Sequence, residues 1–473
     1  MSGAYLKHLK IPWPSAVNLY RWILIGGFMM MLAFNLPGQL SYDSIVQLYD
    51  GRFHVRTTWA PAVYSALLGG FDSIVPGTSL YLVASGTLIF GALLALRLLR
   101  PALSWAAPAV ALGVVLTPTL MLFQGTVWKD IFFANLVVAA FVLLAWIAAR
   151  WPADGPVSWR TAPWPVLLLL LLLLALAAQV RQNGLIAAGM AALVLAWTVR
   201  GVGWRKAAGW GLGGLAAVIL VSQILGALAL PAGVKKDDGY KRGMTFLQSY
   251  DLAGLLARDK TLPLAALHAS SPQIEALMRR KAPSLYSPER IDYLMQDDQF
   301  GAIYKHLPSK PISKDWRHLV LSHPKTYLLN RLDAFRWVLM TPKIEQCLPV
   351  YVGVDGPAER MKALNISEGV TPPAQALYDY GERFVHTPLY SHLGFALAAL
   401  AAAGFMLKRR EAQDVAMAGL MISALGFTAS FLLISVACDY RYLYLLDLAA
   451  LTGWLYLVID FPLRLFPARP WWS

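Results

Sequence analysis

The chain has 473 residues, of which 57% are hydrophobic and only 14% are charged, and its formal net charge is +14. Soluble globular proteins carry about 25% charged residues, so this composition excludes an ordinary soluble domain. Repeated apolar runs of about 20 residues indicate instead an all-α polytopic membrane protein in a lipid bilayer. The basic excess fits short cytoplasmic loops, and no alternation of basic with stacking aromatic residues points to nucleic acid as a partner.

The first apolar segment, residues 17–36, ends at Pro37-Gly38, a sequence that breaks helices. No small-residue cleavage pattern follows the segment, so it is predicted to be a retained membrane helix rather than a signal peptide. Residues 37–77 are predicted to form the first outer loop. The apolar stretch 60–68 within this loop is too short to span and is expected to lie along the membrane interface.

Further membrane helices bring the predicted total to about ten. They are expected at residues 78–99, 103–123 and 129–150, around the leucine run 167–174, on the return to Arg200, at 207–230, 390–407 and 415–436, and up to Asp460. Residues 232–387 are polar and proline-rich, so a helical outer (periplasmic) domain is predicted between helices 7 and 8. It separates a seven-helix transmembrane module, 1–231, from a three-helix C-terminal segment, 388–473.

Both termini are predicted to lie inside, because dense Lys/Arg junctions between short-looped helices then share one face. Basic residues near the termini lie on that face: Lys7, Lys10, Arg464 and Arg469. Other charged residues collect at the opposite, outer helix ends: Asp43, Asp50, Arg52, Arg56, Lys129, Asp130, Arg181, Asp439 and Arg441. An ionisable group at such depth is unfavourable unless it has a partner or a function, so these residues are candidates for a site.

Asp43 follows the first membrane helix closely and is the first candidate for a catalytic carboxylate. A carboxylate near an acceptor hydroxyl can remove its proton during attack. The surrounding cations are suited to phosphate oxygens, since arginine binds them with a fork of N–H groups and lysine acts as a point charge. The pattern therefore favours a site for a phosphate-linked sugar beneath the outer domain.

Three short motifs accompany Tyr42-Asp43-Ser44 at the outer helix ends: Thr126-Val-Trp-Lys-Asp130, Arg181-Gln-Asn-Gly184 and Tyr440-Arg-Tyr442. Together with the span count, the interfacial helix and the late outer domain, they resemble the GT-C superfamily of membrane glycosyltransferases, and bacterial members most. The resemblance covers roughly residues 15–230 and 390–460, whereas the outer domain matches only loosely. Many relatives have His-Pro where this chain has Trp59-Ala60-Pro61, a departure that removes the basis for a polar role before Pro61.

The resemblance implies transfer of a sugar from a polyprenyl-phosphate donor to a periplasmic acceptor (a lipid, glycan or protein) at a bacterial inner membrane. It makes residues 1–231 the catalytic module, with Asp43 as general base and Asp130 positioning the acceptor or a metal. Lys129, Arg181 and Arg441 would hold the donor phosphate. The other residues expected to bind substrate are Arg56, Asn183 and Tyr440. No cofactor is required, and a divalent metal is compatible with the two acids.

Simpler roles are open for the same residues. Asp43 could cap a short helix, and Asp130 could stabilise the positive end of a helix dipole. Arg181 could extend from an apolar helix to the lipid headgroups, and Arg441 could be an interfacial anchor. Asp50 is expected to be a solvated loop residue, and His54 has no partner spacing that would indicate a metal.

Cys347 and Cys438 both fall on the predicted outer face and leave two alternatives open. An oxidising periplasm permits a disulfide between them, and two free buried thiols are the other possibility. For the whole chain, the rival functions are a secondary transporter and a non-catalytic envelope-glycan assembly or flippase-partner protein. Transporters usually have repeated halves with broken helices at matching positions, and no such internal repeat is evident.

Overall fold

The computed structural model describes residues 15–57, 60–151, 163–231, 233, 237–304 and 306–460. Within these ranges the protein is all-helical and forms only isolated β-bridges, which confirms the predicted all-α class. Several residues used in the sequence analysis lie outside the described residues: Lys7, Lys10, Trp59, Arg464 and Arg469. The predicted orientation of the termini therefore stays a prediction.

The helices follow the chain in three stretches. The N-terminal stretch contains α1 (Ala16–Asn35), α2 (Tyr42–Arg52), α3 (Ala62–Ile74), α4 (Ser79–Ala95), α5 (Ala106–Val115), α6 (Pro118–Phe123), α7 (Lys129–Arg150), α8 (Trp164–Val180), α9 (Leu185–Thr198) and α10 (Trp204–Leu228). The middle stretch contains α11 (Asp237–Arg258), α12 (Ala265–Ser270), α13 (Pro272–Leu285), α14 (Asp292–Gln296), α15 (Asp298–Tyr304), α16 (Ser309–Ser322), α17 (Pro324–Met340), α18 (Ala358–Leu364) and α19 (Pro372–Glu382). The C-terminal stretch contains α20 (His392–Arg409), α21 (Ala412–Ile434) and α22 (Tyr444–Ile459), and short 3-10 turns lie at Leu96–Leu99, Arg200–Val202, Ile344–Cys347, Pro388–Tyr390 and Tyr440–Leu443.

Six helices of the described residues are long and apolar enough to cross a membrane. They are α1, α4 with its following turn, α7, α10, α21, and α22 with its preceding turn. Three shorter helices, α5, α8 and α9, are also apolar. On α10 the exposed side chains include Leu212 and Leu228, which are suited to contact lipid. The chain is thus a multi-pass membrane protein, whereas the total of ten spans stays a prediction.

The prediction of one continuous helix over residues 103–123 is wrong. Helix α5 ends at Val115 and α6 begins at Pro118. Proline has no N–H to donate and disfavours helical backbone in the residue before it, and Thr117 is accordingly extended, with ψ 125°. At the break, Tyr380 of α19 donates a hydrogen bond to the carbonyl oxygen of Leu116 (2.5 Å).

The middle stretch packs in two ways. Helices α11–α16, which we call the outer subdomain, enclose a hydrophobic core of their own that includes Tyr250, Leu256, Leu267, Met278 and Leu319. Residues beyond Ile344 instead join the main core formed by the membrane helices, through Val350, Met361 and Leu377 among others. Helix α17 connects the two, since it packs on α11 and α16 on one side and on α21 on the other.

The first outer loop contains two helices, α2 and α3, which cross at very short distance. A Cβ atom added to Gly51 would clash with the Ser65 carbonyl oxygen, and one added to Gly69 would clash with the Gly51 carbonyl group. The two backbones therefore meet directly at this crossing. Helix α3 includes most of the predicted interfacial stretch and continues beyond it to Ile74.

Candidate active site

Asp43 lies in the first turn of α2, and the start of this helix is held by a capping box. Ser41 and Ser44 satisfy each other's backbone N–H groups, so Ser41 is the N-cap, and the alternative that Asp43 is the cap is wrong. The two serines also join α2 to the chain before α7. Trp128 Nε1 donates to Ser41 Oγ (2.7 Å), and Ser44 Oγ donates to the Val127 carbonyl oxygen (2.7 Å). The Asp43 side chain is left 44% exposed.

Arg441 lies at the centre of the predicted cations and acids. Its Nη2 atom is 2.7 Å from Asp43 Oδ2 and 3.2 Å from Asp439 Oδ2, and its Nε atom is 3.9 Å from Asp130 Oδ2. The guanidinium also stacks over the Trp128 ring, 4.5 Å from its centroid. Arg441 thus joins three acids from different parts of the chain.

Asp130 and Arg181 form the deeper part of the same group. Arg181 Nη1 is 2.6 Å from Asp130 Oδ1, and the Asp130 side chain is only 3% exposed. Three aromatic rings surround the Arg181 guanidinium: Phe427, Phe431 and Tyr442. Lys129 is near enough to interact electrostatically with Asp43, Asp130, Arg181 and Arg441. We call Asp43, Lys129, Asp130, Arg181, Asp439 and Arg441 the outer cluster.

Two opposing effects act on the pKa of Asp43. Burial among the neighbouring groups raises this pKa. The charges of Arg441 and Lys129 and the hydrogen bond from Arg441 lower it, and together they outweigh burial. The pKa of the Asp43 carboxyl therefore lies below its usual value. In this state Asp43 is a carboxylate held by a guanidinium.

A cavity of about 210 Å³ adjoins the outer cluster. Its polar lining comes from Lys129, Arg181, Gln182, Asn183, Ser435 and Tyr442. Its remaining lining is mostly apolar and includes Met244, Phe246, Leu247, Ile291, Met295, Phe431, Ile434 and Val436. The cavity therefore combines two cations with mostly apolar walls.

The turn that carries Asp439 and Arg441 is fixed by the outer subdomain. Cys438 forms a disulfide with Cys347, so the alternative of two free thiols is wrong. The N–H of Ile291 donates to the Val436 carbonyl oxygen (2.9 Å), and the N–H of Cys438 donates to the Glu289 carbonyl oxygen (2.9 Å). The outer subdomain is thus built into the site.

A buried ion pair completes this attachment. Arg331 pairs with Asp251 (2.8 Å), and both side chains are almost completely buried. The same guanidinium donates to the carbonyl oxygens of Leu432 and Ser435, each at 2.9 Å. The end of α21 is therefore fastened to α17 and α11 immediately before the turn that carries Arg441.

The other predicted binding residues have separate surroundings. Asn183 donates to Ser430 Oγ (2.7 Å) and lines the cavity beside Arg181. Arg56 lines a different pocket, which also includes Asp50, His54 and the end of α10. Tyr440 is fully buried and stacks on His392, with ring centroids 4.0 Å apart. The substrate-binding roles of Arg56 and Tyr440 stay predictions.

Asp50 and Arg52, at the end of α2, both have partners outside the outer cluster. Asp50 is only 3% exposed, and its carboxylate accepts hydrogen bonds from the N–H (3.1 Å) and the hydroxyl (2.7 Å) of Thr57, so the prediction of a solvated residue is wrong. Arg52 forms a hydrogen-bonded ion pair with Asp72. Among the described residues, no group of three or more His, Cys, Asp or Glu side chains is arranged to hold a metal ion.

The sequence interpretation did not single out several residues that complete this region. Asp439 was noted only as one of the outer charges, although its position two residues before Arg441 could have indicated a shared site. Trp128 supplies a ring to Arg441, and Arg290 of the outer subdomain lies 3.7 Å from Asp439. Arg290 carries no local sequence signal, because its contact depends on tertiary structure.

Comparisons with known proteins give a weak structural likeness. No protein-family model matches the chain, and no curated protein matches it. Among solved structures the chain is similar to the archaeal oligosaccharyltransferase AglB from Archaeoglobus fulgidus, in complex with an inhibitory peptide and a dolichol-phosphate, with a TM-score of 0.40 and 14% identity. The match covers 93% of this chain and 50% of that one, so the chain spans about half the length of that protein. A likeness this weak does not place the chain in a family.

Proposed function

We propose that this protein is a GT-C-type membrane glycosyltransferase of a bacterial inner membrane. It moves a sugar from a polyprenyl-phosphate donor to a periplasmic acceptor (a lipid, an envelope glycan or a protein), and Asp43 is the general base. The observation that carries the proposal is the outer cluster itself. A half-exposed carboxylate lies beside several cations, two of which line an adjoining cavity with mostly apolar walls.

The cavity matches the two chemical parts of an isoprenoid phosphate. Lys129 and Arg181 can bind phosphate oxygens, whereas side chains such as Leu247, Met295 and Ile434 can contact the lipid chain. A cavity of about 210 Å³ holds the phosphate and the start of the lipid chain. The remainder of the lipid would lie in the bilayer.

Arg441 links donor binding to the activation of Asp43. It pairs with Asp43 in this structure, and a donor phosphate offers it a competing anion with several acceptor oxygens. When Arg441 engages the phosphate, Asp43 loses the interaction that most strongly stabilises its charge, so its pKa rises. Asp43 then becomes a better proton acceptor. This exchange predicts that the donor binds before the acceptor reacts.

In the chemical step, Asp43 takes the proton of the acceptor hydroxyl while the acceptor oxygen bonds to the anomeric carbon. The bond from that carbon to the phosphate oxygen breaks, and its electron pair leaves with the polyprenyl phosphate. The proton stays on Asp43. Because a phosphate is a good leaving group, a second carboxyl group that donates a proton is not needed.

The test is transfer by the purified full-length protein in lipid nanodiscs. A panel of radiolabelled undecaprenyl-phosphate hexoses and pentoses is incubated with it and with a solubilised envelope fraction as the source of acceptors. We expect label to move from one donor to a product, with release of undecaprenyl phosphate, and the Asp43→Asn protein to be inactive. Failure of the wild-type protein to consume any donor in the panel, or equal turnover by Asp43→Asn, would overturn the proposal.

A further inference from the structure

The carboxylates around the outer cluster differ strongly in access. Asp130 is 3% exposed and paired with Arg181, and Asp439 is 14% exposed and paired with Arg441. Asp43 is 44% exposed. A fourth carboxylate, Asp292 at the start of α14, is 43% exposed and belongs to the outer subdomain. An incoming molecule can therefore reach Asp43 and Asp292 without displacing buried side chains.

Asp292 is joined to the outer cluster through a chain of charges. Arg290 lies 3.6 Å from Asp292 and 3.7 Å from Asp439, and Asp439 in turn pairs with Arg441. Arg441 also pairs with Asp43. The contacts therefore form one row of alternating acids and arginines, with the exposed carboxylates of Asp292 and Asp43 at its two ends. Each arginine in this row separates two acids.

The backbone around Asp292 is held firmly against the site. Arg290 forms an antiparallel bridge with Ala437, and its side chain donates to the Gln346 carbonyl oxygen (2.7 Å). The residues on either side of Asp292 in sequence approach the cavity as well, since Ile291 and Met295 line it. The position of Asp292 is therefore fixed relative to Lys129 and Arg181, although it comes from the outer subdomain.

We propose that Asp292 is an acceptor-binding residue, which accepts a hydrogen bond from a hydroxyl group of the acceptor and so directs the attacking hydroxyl toward Asp43. This inference rests on the proposed function. The resemblance assigns the positioning of the acceptor to Asp130, but that carboxylate is buried and engaged by Arg181. Asp292 combines open access with a fixed backbone, the two properties that a positioning contact needs.

The electrostatics of the two open carboxyls differ in a way that fits separate roles. Burial raises the pKa of the Asp292 carboxyl, and the negative charges of Asp439 and Asp43 raise it as well. The positive charges of Arg290 and Arg441 lower it, but the resulting pKa is above the usual value. The pKa of Asp43 lies below its usual value. Neighbouring carboxyls whose pKa values are pushed apart are typical of sites where each has a different task.

The test compares Asp292→Asn with the wild-type protein in the nanodisc assay. The envelope fraction is diluted in series to give an apparent KM for acceptor, and binding of undecaprenyl phosphate is measured separately. We expect the apparent KM for acceptor to rise about tenfold, because a hydrogen bond to a charged group is weakened. We expect kcat to fall about threefold because the attacking hydroxyl is less well oriented. The affinity for undecaprenyl phosphate should stay within twofold, and Asp292→Glu should recover part of both losses.

Asp333→Asn is the matched control. Asp333 is a 52% exposed carboxylate of α17 that pairs with Arg258, so its replacement removes a similar surface charge pair. Its kinetics should equal those of the wild-type protein. An unchanged acceptor KM in Asp292→Asn, or a parallel loss of undecaprenyl phosphate binding, would overturn the role of Asp292 while leaving the glycosyltransferase proposal intact. An inactive wild-type protein would instead refute the proposed function.

Discussion

The described part of the protein contains two large groups of alternating arginines and carboxylates, one at each end of the membrane helices. The outer cluster surrounds Arg441. The second, which we call the inner cluster, joins the opposite ends of α4, α20, α21 and α22 and consists of Arg100, Arg409, Glu411, Asp414, Tyr456 and Asp460. Both contain the residue types that would attract attention in a sequence.

The two clusters differ in what their charges face. In the inner cluster, Asp414 is completely buried, and it is contacted by Arg100, by Arg409 (3.1 Å) and by the hydroxyl of Tyr456 (2.6 Å). Its arginines are also enclosed, each with a side chain 3% exposed. In the outer cluster, Asp43 is open and a cavity adjoins the cations. Glu411 and Asp460 of the inner cluster are also partly exposed, at 35% and 31%, so the cavity beside the cations, rather than charge or an exposed acid alone, marks the outer cluster as the candidate site.

The largest expected effect on transfer comes from Asp43→Asn. An amide cannot accept the proton, so we expect the transfer rate to fall about 1000-fold. Because Asp43 is half-exposed, the midpoint of thermal unfolding should change by no more than a few degrees. Initial rates in nanodiscs and a thermal unfolding curve measure both quantities. A transfer rate of Asp43→Asn within tenfold of the wild-type value would contradict a catalytic role for the outer cluster.

Arg441→Gln should lower the transfer rate about 100-fold, because a charged contact to the developing phosphate is lost. It should also change the pH dependence. In the donor-free wild-type protein the pKa of Asp43 is lowered, so kcat/KM for the donor, which reports the free protein, is lost only below the usual range for aspartate. Without Arg441, burial is less opposed and the pKa rises, so the acid limb of the kcat/KM profile should move to higher pH.

Rate profiles between pH 3 and 8 test this shift, and Arg336→Gln is the control because it removes an arginine that lies outside the outer cluster. An acid limb that is identical in Arg441→Gln and in the wild-type protein would show that the ion pair does not govern Asp43.

Removal of the disulfide should have a smaller effect on transfer. In the Cys347→Ser/Cys438→Ser protein, the turn that carries Arg441 loses its covalent tie but keeps the hydrogen bonds to Ile291 and Glu289. We expect the transfer rate to fall about tenfold through imprecise placement of Arg441. Rates with and without a reductant provide the measurement, and the double variant itself should not respond to the reductant. A rate equal to that of the wild-type protein would mean that the hydrogen bonds are sufficient.

The smallest effect on transfer is expected in the inner cluster. Asp414→Asn leaves Arg100 and Arg409 without a buried counter-charge, so it should destabilise the protein by about 3 kcal/mol. The fraction that remains folded should transfer sugar at the wild-type rate. Chemical unfolding in detergent and rates normalised to folded protein separate the two quantities. Loss of turnover in the folded fraction would show that the inner cluster also contributes to transfer, and would contradict a purely structural role for it.

Much of the helical fold and part of the outer cluster could be predicted from local features. Long apolar runs locate the membrane helices, and charges at helix ends are conspicuous against them. For this reason Asp43, Lys129, Asp130, Arg181 and Arg441 were candidates before the structure, and the structure brings them together. Because these charged residues are predicted on one side of the membrane, each can pair only with charges on that same side.

The rest depended on tertiary contacts. The bridge of Arg290 to Ala437 joins segments far apart in the chain, so no local pattern reveals Arg290 or Asp292 as part of the site. The cysteine positions alone allow both a disulfide and two thiols, and only the tertiary contact of the turn Ile344–Cys347 with the chain after α21 decides between them. The break before Pro118 is a further case, because a membrane helix tolerates proline when neighbouring helices satisfy the freed backbone groups, which the local sequence does not specify.

Helix α2 contacts α3 closely at Gly51 and Gly69, near one end of α2, and Asp43 lies at its other end. Asp43 precedes Gly51 by eight residues, or about 12 Å of helix, so a tilt of about 10° at the crossing would move the carboxylate by about 2 Å. A single added methyl group at Gly51 would force such a tilt, because only backbone atoms oppose it. The position of the Asp43 carboxylate, the proposed general base, thus depends on two residues without side chains, Gly51 and Gly69.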